Sequence, residues 1–407
     1  MLGWELPPHH TGGMGIVCYQ LCKKLAQSGA DIEFILPYTA DFSAIDFMKI
    51  NPALPNGAKE VLGQSAGSTY SSQYFKYFYS DGSTRGVAMD EHQKNYAEYA
   101  AKIALLGSYD IIHAHDWLTF RAGLMAKQMC GKPLIVHIHS TEFDRAGGKN
   151  GNPMVREIEY MGLQLADKII AVSEATKRAI IREYDIDASK IVVAHNAMEF
   201  EPHELEDTHS NVFVYLKQMQ TSGYKVVLSA GRLTIQKGLS HLVYAMQKVV
   251  KHRPKTLLLF VGSGEQQIEL MNLAAELGIG ANVLFTGHLN GTGKSWRDSF
   301  RVADIFVMPS ISEPFGLTPF EAITHGTPVL ISRQSGVAEL LQNSLKVDFW
   351  DIDEMANHIS CVLDNQDLQD TLIEMGQIEL KNLTWDKSVS TLLEEYNKHI
   401  NVGLQHA

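Results

Sequence analysis

Residues 225–238 read KVVLSAGRLTIQKG. Lys225–Ser229 is a short apolar run of strand length, and Gly231–Gly238 is a glycine-bounded loop carrying two cations, Arg232 and Lys237. A run this apolar, without polar alternation, predicts a strand covered on both faces, as in a parallel sheet. In open sheets of that kind, ligands bind beyond the carboxyl ends of the strands. An arginine there can fork onto a phosphate, and a lysine can sit on it as a point charge. A solvated charged loop is the plainer alternative.

The same rhythm recurs on both sides. In the second half, Thr256–Val261, Asn282–Thr286, Ile305–Pro309 and Pro328–Ile331 read as further strands. In the first half, Asp31–Pro37, Asp110–His115, Leu134–His139, Lys168–Val172 and Ile191–Ala194 read as strands, with helical patterns at Gly15–Ser28, Leu118–Met129, Met154–Ala166 and Glu174–Tyr184. Met1–Trp4 reads as a first strand shortened by a few residues. Two such strand–helix series predict two doubly wound α/β domains. The boundary falls near residues 197–210, an acidic stretch without clear period, giving domains at 1–200 and 201–384. A last amphipathic helix over Trp385–Ile400 opens the segment 385–407, which is expected to return to the first domain. Tyr70–Tyr79 (YSSQYFKYFY) reads as one arm of a β-hairpin, or alternatively as a ring surface for sugar.

Composition narrows the partners. The chain has 407 residues, 45% apolar and 20% charged, as in ordinary globular proteins, and a net charge of −11. That charge argues against nucleic acid or an anionic lipid surface as partner. No apolar stretch is long enough to span a bilayer, and the N-terminus lacks a signal-peptide pattern, so a cytoplasmic location is expected. Cys18, Cys22, Cys130 and Cys361 read as free thiols in a reducing compartment.

Four more motifs fall at strand ends. HTGGMG (His10–Gly15) puts glycines at a helix start, where a backbone can approach an anion, or is only a tight turn. HAHDW (His113–Trp117) and HIHSTEFD (His137–Asp144) place histidine pairs at i,i+2, sharing a strand face. Hydrogen-bonded strand-end histidines explain His113 and His137, and no metal is expected. SEPFGLTPFE (Ser312–Glu321) contains a capping box of Thr318, Pro319 and Glu321, which leaves Glu313 unexplained. VGSGE (Val261–Glu265) is a further glycine turn, and the acidic triplets at Asp185–Asp187 and Asp351–Asp353 read as helix caps.

In this order, the motifs resemble those of retaining nucleotide-sugar glycosyltransferases of the GT-B fold, above all glycogen and starch synthases and the large family 4 group. HTGGMG resembles the synthases' KTGGL loop, with His10 in place of its lysine, and EPFGLTPFE resembles both their EPxGLT and the family 4 pattern of two glutamates eight apart. The resemblance implies two Rossmann-like domains facing across a cleft and transfer of a hexose, glucose from UDP- or ADP-glucose first, onto an α-glucan. Another family 4 donor, or a lipid or glycan acceptor, is the alternative. It implies that Arg232 and Lys237 hold the diphosphate and that Glu313 binds the sugar hydroxyls. Phe315, Gly316, Leu317 and Thr318 would contact sugar and phosphate, and Glu321 the ribose. Gly12 and Gly13 would approach the phosphates, His139 would sit beside the anomeric carbon with Asp116 close by, and the base would meet backbone near Gly287–Leu289. The nucleotide sugar is then a substrate, with no cofactor and no metal.

Overall fold

The computed structural model describes residues 1–9, 12–61, 74–79, 81–199, 211–289 and 293–403. It forms two units. The first comprises Met1–Glu142, Asn152–Asn196 and the segment from Trp385 on; the second comprises Phe143–Gly151 and Ala197–Thr384.

The first unit has strands β1 (Glu33–Leu36), β2 (Lys49–Pro52), β3 (Ala58–Val61), β4 (Tyr74–Tyr79), β5 (Thr84–Ala88), β6 (Ile112–His115), β7 (Leu134–Ile138), β8 (Lys168–Ala171) and β9 (Ile191–Val193). β6-β7-β8-β9 run parallel in that order, and β1 pairs parallel with β2. The opening residues join the two pieces. Leu2 bridges in parallel to Ala114, through Leu2 N–H to His113 O (2.7 Å) and His115 N–H to Leu2 O (3.1 Å), and to Ile35, through Gly3 N–H to Ile35 O (3.1 Å) and Ile35 N–H to Met1 O (2.9 Å). Met1–Trp4 therefore fills the central slot, and the spatial order is β2, β1, Met1–Trp4, β6, β7, β8, β9. β3-β4-β5 form a separate antiparallel sheet, with Tyr77 paired to Arg85. Of the aromatic arm, residues 70–73 lie outside the described residues. Phe75 and Tyr77 are buried rather than offered to a ligand, with Phe75 stacked on His92 and Tyr77 hydroxyl 2.8 Å from His92 Nδ1.

The second unit is one parallel sheet of β10 (Lys225–Ala230), β11 (Thr256–Val261), β12 (Val283–Phe285), β13 (Ile305–Met308), β14 (Val329–Ser332) and β15 (Leu345–Val347). Its order is β12-β11-β10-β13-β14-β15. Every residue of β11, β13 and β14 is buried, which is why their sequences are unbroken apolar runs. The helix Leu239–His252 covers the sheet with Leu242, Val243, Met246 and Val249.

Both orders reverse direction beside their first strand. In the second unit the reversal lies between β10 and β13; in the first it lies between Met1–Trp4 and β6. Crevices at such reversals, beyond the strand ends, are where doubly wound sheets take ligands.

The C-terminal helix, Trp385–Gly403, packs in the first unit, burying Trp385, Val389 and Leu392. Among the described residues no helix is long and apolar enough to cross a membrane.

Candidate functional site

Chain topology alone brings the loop after β10 and the loop after β13 together. The first begins at Gly231, passes exposed Arg232 and anchors itself with buried Leu233. A 3-10 turn, Ile235–Lys237, ends at Gly238, whose φ is +61°. A Cβ at Gly238 would lie 2.2 Å from Pro309 O, so only glycine fits this approach to the β13 loop. Ile311 N–H donates to Gln236 O (2.9 Å), stitching the loops.

That seam sets Lys237 Nζ against Glu313 Oε2 as an ion pair. Ser310 Oγ donates to the same oxygen at 3.1 Å. The Glu313 backbone is held on both sides: its N–H donates to Gln334 O (3.2 Å) and its carbonyl accepts from Gly336 N–H (2.9 Å). Glu313 is 8% exposed. A small pocket here is lined by Ser229, Gly231, Arg232, Lys237, Met308 and Ser310. Among the described residues Arg232 has no side-chain partner. A paired lysine and an unpaired arginine line this pocket, and even with Lys237's partner Glu313 counted they leave net positive charge for an anion.

The segment after Glu313 departs from its expected form. Gly316 (φ +95°) turns the chain so that Leu317 is already α-helical and serves as N-cap without a side-chain bond. The helix runs Thr318–Thr324, with Thr318 inside it. The capping box of Thr318 and Glu321 does not form, because the glycine turn moves the helix start one residue earlier and puts an apolar residue at the cap. The backbone N–H groups of Gly316, Leu317 and Thr318 donate to nothing among the described residues. Seven residues make a weak dipole, so positive potential here comes chiefly from Arg232 and Lys237. Glu321 turns inward instead of capping. Burial pushes its carboxyl up to about 7; the neighbouring Trp296 indole favours the charged form but makes no hydrogen bond to it.

Two further glycine turns flank this crevice. Gly262 N–H donates to Gly287 O (2.9 Å), and a Cβ at Gly262 would meet Gly231 O at 1.9 Å. Gly287 (φ +75°) faces open space, and half-buried Leu289 follows it. Thus Arg232, Lys237, Glu313, Gly316–Thr318 and Glu321 gather after β10 and β13, while Gly287 and Leu289 follow β12.

In the first unit, Gly12 caps the helix Gly13–Gln27 without a side-chain bond, and the space beside Gly13 is open. His10 and Thr11 lie outside the described residues. Asp116 sits at φ +57° after β6 and is 1% exposed. Its Oδ1 accepts from His139 N–H at 2.7 Å and Ser140 N–H at 3.4 Å. Asp116 thus holds the backbone of the His139 loop. The His139 Nε2 lies 3.0 Å from His115 Nδ1, and desolvation pushes its imidazole down to about 3, so the ring is neutral near pH 7. The acidic triplets are caps: Asp187 Oδ1 accepts from Ser189 N–H and Asp351 Oδ1 from Glu354 N–H.

Sequence reading missed Ser310, Trp296 and Tyr396. Ser310 sits in the apolar run IFVMPS, which signalled only a strand. The other two reach their partners through long-range packing that no local pattern encodes.

Comparison with known proteins places both halves. Residues 11–201 match glycosyltransferase family 4, and residues 216–378 match glycosyl transferases group 1. Over 97% of both chains the protein is 26% identical to an uncharacterized glycosyltransferase of Methanocaldococcus jannaschii. It is 27% identical to a D-inositol 3-phosphate glycosyltransferase of Salinispora arenicola, covering 96% of this chain and 88% of the other. It is 25% identical to a glycogen synthase of Mycobacterium tuberculosis, covering 84% and 80%. Among solved structures, sucrose-phosphate synthase from Thermosynechococcus elongatus superposes with a TM-score of 0.69 at 21% identity, over 98% and 95% of the chains. Anabaena HepE in complex with UDP and glucose superposes at 0.68 and 18%, over 97% and 98%. The fold is GT-B.

Proposed function

We propose that this chain, which pairs a glycosyltransferase family 4 domain with a group 1 glycosyl transferase domain, moves a hexose from a nucleoside diphosphate sugar to an acceptor with retention of configuration. Glucose from UDP- or ADP-glucose onto an α-glucan is the first reading. The observation that carries the donor assignment is the Arg232–Lys237–Glu313 cluster at the topological reversal of the second unit.

Breaking the bond from the anomeric carbon to the β-phosphate oxygen leaves its electron pair on the diphosphate. Arg232 and Lys237 supply positive charge where that charge develops, held by the Gly238 seam before substrate arrives. This role replaces a metal ion at the diphosphate. Glu313, fixed by Ser310 and its backbone, accepts hydrogen bonds from sugar hydroxyls and is not the nucleophile. The open N–H groups of Gly316, Leu317 and Thr318 add donors toward phosphate and sugar. Buried Phe315 shapes this turn against Phe320, Glu321 takes the ribose, and the backbone at Gly287 and Leu289 takes the base. On the resemblance, Gly12 and Gly13 approach the phosphates and His139 the sugar, with Asp116 positioning His139.

A second reading, transfer to an inositol phosphate or another family 4 acceptor, is favoured by the D-inositol 3-phosphate relative, whose match spans more of this chain than that of glycogen synthase. A donor and acceptor screen separates the two. Purified protein meets UDP-, ADP- and GDP-sugars, with glycogen, an inositol phosphate or neither, and nucleoside diphosphate release is followed. Glycogen-dependent release from a glucose donor supports the first reading. Release that needs inositol phosphate supports the second. No release with any pair refutes the transferase reading. NMR of the product's anomeric proton tests retention.

A further inference from the structure

β6 and β7 place four histidines on one face of the first sheet. His113 and His115 alternate on β6, and His137 and His139 stand beside them, with His115 in register with His137. Their rings stack along each strand at 4.5 and 4.4 Å, and His113 and His115 lie 5.4 and 5.3 Å from His137. The stack lies inside the unit, against Cys18 of the helix Gly13–Gln27 and Tyr396 of the C-terminal helix.

The polar accounting of these rings does not close. His113 Nε2, His115 Nε2 and both nitrogens of His137 are buried without a protein hydrogen-bond partner. A buried polar atom left unpaired costs about 1–3 kcal/mol, and native interiors hold few of them. One of the two His137 nitrogens carries the N–H of a neutral ring, so up to three lone pairs on three adjoining rings lack a partner and point to something that accepts them.

We propose that His113, His115 and His137 form a binding site for one divalent transition cation of the zinc class. Ligand nitrogens of these three rings lie within 4.8 Å of one another. Ring rotation toward a common centre would bring them to the roughly 3.3 Å separation of tetrahedral ligands at Zn–N distances of about 2.0–2.1 Å. The outer nitrogens are already engaged. His113 Nδ1 lies 2.5 Å from the Tyr396 hydroxyl and His115 Nδ1 3.0 Å from His139 Nε2. An N–H on each Nδ1 leaves a free lone pair on each Nε2, the tautomer that outer hydrogen bonds impose on metal-binding histidines. Three neutral imidazoles without a carboxylate suit zinc, cobalt, nickel or copper and not magnesium or calcium. The ion would fasten β6 to β7 and, through His113 and Tyr396, the C-terminal helix to the sheet. It is separate from the donor chemistry, which calls for no ion at the diphosphate.

The test uses untagged full-length protein, stripped with a chelator and titrated with Zn²⁺, then with Co²⁺ as a visible reporter. Expected are about one equivalent of metal retained after desalting, cobalt ligand-field bands of a low-coordinate nitrogen site, and a raised Tm. His137→Gln and, separately, His113→Gln should each weaken Zn²⁺ binding at least about tenfold, whereas His252→Gln, on an exposed helix end, should not. Stripped protein that is folded by circular dichroism and retains no zinc overturns the site. So does zinc binding of wild-type strength in folded His113→Gln or His137→Gln protein. Should one of these variants fail to fold, the wild-type stoichiometry and the other variant decide.

Discussion

At Lys237 one ammonium serves two partners: Glu313 in the structure described here, and on our reading a diphosphate when donor is bound. Lys237→Ala or Arg232→Ala should lower turnover roughly 100- to 1000-fold each, the scale of losing one preorganised donor to a developing charge. Circular dichroism should stay unchanged, and near-normal rates in both would remove the phosphate assignment. Gly238→Ala is a different kind of change. It forces a side chain into the left-handed region and against Pro309 O, so a loss of about 2–4 kcal/mol in urea unfolding is expected. Glu321 gives a pH signature. Its folded value near 7 exceeds the ordinary 4.5, so folded protein keeps a proton that the unfolded chain releases. The stability this contributes is complete below about pH 4.5 and is lost as pH rises to 7, up to about 3 kcal/mol. Glu321→Gln should therefore gain stability over wild type at pH 8 and not at pH 4. A wild-type–variant difference that does not change with pH would refute the buried-carboxyl account. The two cations and Glu313 were legible in sequence because their loops follow unmistakable strands. The cap was misread because a positive φ at Gly316 leaves no mark in the letters around it.

Among the elements, strands β8 to β14 announce themselves through short runs that are mostly apolar, and β6 and β7 through apolar residues with histidines among them. The helix Met89–Leu106 does not, and sequence reading passes over it. Its buried face is His92, Gln93, Tyr96, Ala97, Ala100 and Ala101, small or polar residues that produce no apolar stripe. Two of them instead make tertiary bonds: Tyr96 hydroxyl donates to Ile35 O at 3.0 Å, and His92 meets Tyr77. This helix carries the hairpin sheet. Ala100→Leu should be more damaging than most exposed-to-core comparisons suggest, costing about 1–3 kcal/mol through overpacking, measured by urea denaturation. An unchanged midpoint would mean that the contact is loose. β2 and β15 also escape notice, being short and half-exposed, so neither period nor apolarity marks them.

For the whole molecule, the GT-B fold follows from two repeats of one strand–helix rhythm, and that repeat was legible without any structure. Met1–Trp4 occupies the slot between β1 and β6, hydrogen-bonded to both neighbours. Less legible was that Phe143–Gly151 leaves the first unit for the second; the return of Trp385–Gly403 to the first is the one expected from sequence. Ending the chain after Thr384 would empty a socket that buries Trp385, Val389 and Leu392, and a loss above about 5 kcal/mol is expected, confined to the first unit. Hydrogen exchange reads this directly: β6 and β7 amides should lose protection while β10 and β11 keep theirs. Equal loss in both would mean that the helix supports more than its own unit.

That return has a consequence for synthesis. Domains generally fold in the order in which they leave the ribosome. Here the helix Trp385–Gly403 emerges after the second unit yet belongs to the first, so the first unit waits, incomplete, while the second unit is translated and can fold. During that interval the seat of Trp385 stands open on the nascent chain, and a chaperone that binds apolar surface should dwell on stalled chains of about 385 residues and leave once Gly403 has cleared the tunnel.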